Sequence, residues 1–83
     1  MDKELTDRIA ALFLAVISLD KESQDIYISR ERAVLQLCEQ INDERIKCKQ
    51  IGIATAQYVL LIGQLTRIVE TMEHDLIIAT LLT

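Results

Sequence analysis

A chain of 83 residues with a formal net charge of -4 has room for one modest core and lacks the basic footprint of a general nucleic-acid binder. Hydrophobic residues make up 51% of it, yet only Phe13, Tyr27 and Tyr58 are aromatic, so a core must be built from Leu, Ile, Val and Ala. There is no proline, and Gly52 and Gly63 are the only glycines; a strand-rich domain would need far more turn chemistry, so an all-α fold is expected.

The first helix is expected over about residues 3–19. Leu5, Ile9, Leu12, Val16 and Leu19 recur at gaps of four and three and form one stripe, which Phe13 and Ile17 widen. Asp2 and Glu4 suit the positive end of its dipole. The same acidic start, with Asp7, is unlike the positive opening of a secretory signal, and Ile9 to Ile17 is too short to cross a bilayer.

A polar break follows at Ser18 to Gln24, where Ser18, Asp20 or Ser23 can each cap the next helix. That helix is expected over about residues 22–41. It buries Tyr27, Val34, Leu37, Cys38 and Ile41 and turns Glu31, Arg32, Gln36, Glu39 and Gln40 to water.

Asn42 to Arg45 is the second expected break, because Asn and Asp favour caps over helix interiors. The alternative is one unbroken rod from Ser23 to Leu82, since the three–four spacing never slips from Val34 onward. Glu44 falls in that seam, where an unpaired carboxylate is costly. The reading adopted is a last helix over about residues 44–82, with a kink or chain reversal near Gly63 as an open alternative. Small residues at Gly52, Ala54, Ala56, Gly63 and Ala79 would equally permit close helix packing.

Between Gln50 and Thr66 this last segment carries no charged side chain. A helix from Asp43 to Leu82 would span about 60 Å, against about 25 Å for the first. Its companions could not cover it, which predicts uncovered apolar surface, most of it towards Ile77, Ile78, Leu81 and Leu82. The expected architecture is therefore a helical hairpin or three-helix bundle with a long C-terminal helix, assembling as a dimer or higher oligomer with coiled-coil-like packing. The expected partner surface is Tyr58, Leu61, Ile62, Leu65, Val69, Met72 and Leu76.

No catalytic constellation is expected. Cys38 and Cys48 read as small buried residues of a reducing compartment, and a cytoplasmic protein is expected. His74, the only histidine, is one turn from Glu70, but a carboxylate-bridged metal pair wants a second such motif, so no metal or cofactor is expected. No glycine-rich phosphate loop is present. The function expected is non-enzymatic contact with protein: a small chaperone, adaptor or inhibitor that self-associates or binds an apolar helix of a partner. The alternative is a small membrane-associated protein with residues 50–66 in or on lipid.

Overall fold

The computed structural model describes residues 3–82. It is an all-helical, three-helix arrangement: α1 (Lys3–Ile17), α2 (Lys21–Ile51) and α3 (Ala56–Leu82). The molecule is elongated, 49 × 19 × 17 Å. Asp2, expected at the first helix end, lies outside the described residues.

Helix α1 ends two residues earlier than its stripe suggests, and Leu19 sits in the turn with its N–H donating to the Val16 carbonyl. Asp20 is the cap of α2: its carboxylate accepts from the Ser23 amide at 2.7 Å, satisfying one free donor of the first turn. The Gln24 side chain reaches back and donates to the Ile17 and Leu19 carbonyls, tying the turn to the end of α1.

The expected break at Asn42–Asp43 does not occur. Helix α2 runs through it to Ile51. Asn42 turns its side chain outward and accepts from Arg45 at 3.1 Å. Glu44 keeps its place in the seam, its side chain only 15% exposed, because Lys47 pairs with it at 3.2 Å and the Thr55 hydroxyl donates to it at 3.2 Å. The cost that argued for a turn at Glu44 is removed by one partner from the next turn of α2, Lys47, and one from the true turn eleven residues on, Thr55.

That turn is residues 52–55. Gly52 is left-handed at φ 77°, a region that disfavours any residue with a Cβ, and its N–H donates to the Cys48 carbonyl at 2.8 Å. Thr55 then starts α3, its hydroxyl accepting from the Tyr58 amide at 3.0 Å. Gly63 is neither a chain reversal nor a close-contact point: α3 is continuous through it, and a Cβ built there meets nothing within 4 Å.

The core is a single column. Leu5, Ile9, Leu12 and Val16 of α1 meet Tyr27, Val34 and Ile41 of α2 and Leu61, Leu65, Val69 and Met72 of α3. Most of the packing is between α2 and α3, with α1 laid along one part of that hairpin.

Candidate functional site

The seven side chains expected to meet a partner divide into two groups. Leu61, Leu65, Val69 and Met72 are buried, the last three at 0% exposure, and pack against this chain's own helices. As an accessible surface these four are corrected: the reversal at Gly52 folds their face onto α2, and α1 closes part of it. Tyr58, Ile62 and Leu76 pack partly buried at the edge of the core.

Exposed apolar surface does remain, and the unequal helix lengths explain the part at the hairpin tip. Helix α1 has 15 residues, about 22 Å, whereas α2 with 31 and α3 with 27 span about 46 and 40 Å. The register of α1 is marked by Arg8, which donates two hydrogen bonds to Glu73 of α3, at 2.6 and 3.2 Å. Helices α1 and α3 run parallel, so Lys3 lies near the level of Ile68. The first turns of α3 and the last turns of α2 form a two-helix projection that α1 does not reach.

Among the described residues, fourteen large apolar side chains are exposed, and they concentrate at the two ends of the molecule. At the end built by the α1–α2 turn and the C-terminal turns of α3, Ile77, Ile78, Leu81 and Leu82 are exposed beside Leu14, Ile17 and Ile26 of the other helices. Here α1 and α3 enclose a shallow groove. Ala11, Ala15 and the buried Leu12 line it from α1, Leu76 and Ile77 from α3, and the Arg8–Glu73 pair lies along it. The groove continues along Thr80 and Leu81. Leu76 also lines a second recess, with Leu19, Ile26, Tyr27 and Ala79, on the α2 side of α3. It is the expected partner residue most centrally placed in what stays accessible.

The electrostatics of this end are those of a fastened bundle. A hydrogen bond from Arg8 holds the Glu73 carboxyl below the usual range, and one from Arg30 does the same for Asp75. Arg30 also lies over the Tyr27 ring at 6.0 Å, joining the start of α2 to the end of α3. His74 is exposed, with Nδ1 3.8 Å from the Asp75 carboxylate. Among the described residues no group of three or more His, Cys, Asp or Glu could hold a metal ion. Burial pushes the Cys38 thiol up, away from nucleophilic reactivity. Cys48 accepts from the Thr55 amide at 3.3 Å. Both cysteines are free; ten residues apart on one helix, about 15 Å, they cannot join within the chain.

Gln50 to Thr66, read as one uncharged stretch, is two helix ends and a turn. No helix of the described residues is long and apolar enough to cross a membrane. Comparison with protein-family models, with curated proteins and with solved structures returns no significant match.

Proposed function

We propose that this chain is a non-enzymatic helical interaction module, which associates with a second copy of itself or with an apolar helix of a partner through the groove between α1 and α3. The observation that carries the reading is the C-terminal end of α3. After Asp75 its residues are uncharged; Ile77 and Leu81 line the groove, Leu81 79% exposed, and Ile78 and Leu82 are exposed on the adjoining side of the helix. Contiguous apolar surface of this kind marks an interaction site. Small exposed residues on the α1 side, Ala11 and Ala15, beside the larger Leu76 and Ile77 of α3 suit a helix laid lengthwise, anchored by side chains three and four residues apart. Work as a small chaperone, adaptor or inhibitor in the cytoplasm fits this description.

Sedimentation equilibrium over a concentration series tests it. The wild-type mass is expected to rise from that of one chain towards that of two, while an Ile77→Ser/Leu81→Ser variant stays at one chain with an unchanged urea midpoint. A monomer at every concentration removes self-association. Identical behaviour of the two proteins, both dimeric, removes the groove.

A further inference from the structure

We propose that the opposite end of the molecule, the hairpin tip formed by residues 46–60, docks on a bilayer surface that carries anionic headgroups. Three features of the tip converge on this. The first is charge segregation. All thirteen acidic residues lie outside the segment from Arg45 to Arg67, whose charged side chains are Arg45, Lys47, Lys49 and Arg67. In a chain of net charge -4 the tip is therefore the basic pole. Lys47 is shared with Glu44, the acid nearest to the tip that packs into its base.

The second feature is the direction of the apolar side chains. Ile46, Ile51, Ile53, Val59 and Leu60 are all exposed, Ile53 in the turn itself at 68%. They do not share a face. Ile46 and Ile51 are about 140° apart around α2, and Val59 and Leu60 about 100° apart around α3. A protein groove covers one side of a hairpin. A lipid surface that the tip enters end-on covers every side at once, and this arrangement requires that.

The third feature is depth. Ile46 lies six residues before Gly52 and Leu60 five after Thr55, which places the apolar collar within about 9 Å of the end. Interfacial elements bury their apolar side chains about 5–10 Å into the headgroup boundary. Lys49 and Lys47 lie within that collar, about 4 and 8 Å from Gly52, and reach back to lipid phosphates by extending their side chains, while Arg45 falls just behind it. Tyr58, half-buried at the base of the tip, and the exposed Gln50 and Gln57 are at a depth where polar atoms still find partners. The acidic remainder of the molecule is repelled by the same surface, so the tip leads.

The test is co-sedimentation of the full chain with vesicles of phosphatidylcholine alone or mixed with phosphatidylserine, at low and high salt. Binding is expected only with phosphatidylserine, and it weakens as added salt shortens the screening length. Lys49→Gln should lower the partition coefficient about fivefold, the equivalent of about 1 kcal/mol for one basic residue at an anionic surface. Ile51→Ser/Ile53→Ser should lower it about tenfold or more. Neither change touches a buried residue, and each variant is checked for an unchanged urea midpoint. Ile77→Ser/Leu81→Ser, at the far end, should bind vesicles as the wild type does. No binding to either vesicle, equal binding to both, or tip variants that bind like wild type would each overturn the proposal. So would binding of a soluble acidic amphipathic peptide at the tip without any binding to vesicles.

Discussion

Replacing each glycine by alanine separates the observed chain path from a continuous rod, because the two paths predict opposite signs at Gly52. At both positions an added Cβ meets nothing within 4 Å, so packing does not contribute and the backbone alone decides. Gly63 lies in the interior of α3. There alanine should stabilise by about 1 kcal/mol through helix propensity. Gly52 sits at φ 77°. There alanine carries a left-handed penalty of about 1–2 kcal/mol, offset in part by the lower entropy it leaves in the unfolded chain, for a net loss of about 1 kcal/mol. The two variants should therefore differ by about 2 kcal/mol. With a urea dependence of about 1 kcal/mol/M for a chain of this size, their midpoints should lie about 2 M apart, either side of wild type. If Gly52→Ala raises the midpoint as Gly63→Ala does, residue 52 is helical, the reversal is absent, and the assignment of Leu65 and its neighbours to a core made by this chain fails with it.

Other perturbations test the packing and the fastenings. Leu65→Ala should cost about 2–5 kcal/mol in urea unfolding, while Leu60→Ala, five positions earlier and exposed, should fall within about 0.5 kcal/mol of wild type; equal costs would contradict the burial pattern. Thr55→Ala removes the acceptor for the Tyr58 amide and a donor to Glu44, and should cost about 1–2 kcal/mol. The carboxyls of Glu73, Asp75 and Asp20 are all held below their usual range. The unfolded chain takes up their protons first, so their contribution is complete at neutral pH and is lost as the pH falls below about 4.5 and then through the lowered folded values. Glu73→Gln should flatten that acid limb in a urea-midpoint series; an unchanged limb would show that the Arg8–Glu73 pair does not couple to folding.

Much of this fold was readable from the residues. The α1 stripe, the break before Lys21 with Asp20 among its caps, and the buried row of Tyr27, Val34 and Ile41 follow from apolar spacing and cap chemistry. The place of the second reversal did not follow, for a physical reason. Cys48, Ile51, Thr55 and Tyr58 continue the three–four spacing across the turn, because periodicity reports which face is buried and not the direction in which the chain runs. Gly52 was the available signal. Beside the missing charges from Gln50 to Thr66 it looked like a small residue within a helix, when it was a helix terminator followed three residues later by a threonine cap. Asn42, Asp43 and Glu44 pointed elsewhere; Arg45 supplies a partner for Asn42, Lys47 and Thr55 supply partners for Glu44, and Asp43 is exposed. The misplaced turn also displaced the expected partner surface. A face that seemed too long to be covered is largely covered by α2, and the shortfall belongs to α1. That shortfall leaves Ile46 to Leu60 uncovered, and Ile77 to Leu82, though level with the end of α1, are exposed as expected.

The groove, the tip and the core all depend on α2 and α3 packing antiparallel within one chain. A spin-label distance between Gln40 and Gln64, both exposed, measures that arrangement with Cys38 and Cys48 replaced by Ala and labelled chains diluted into unlabelled ones. Helices packed 8–10 Å apart put the labels within about 20 Å of each other, and dilution leaves that distance unchanged. A separation of about 36 Å or more, that of 24 residues along one rod, or a short distance that vanishes on dilution, would contradict it.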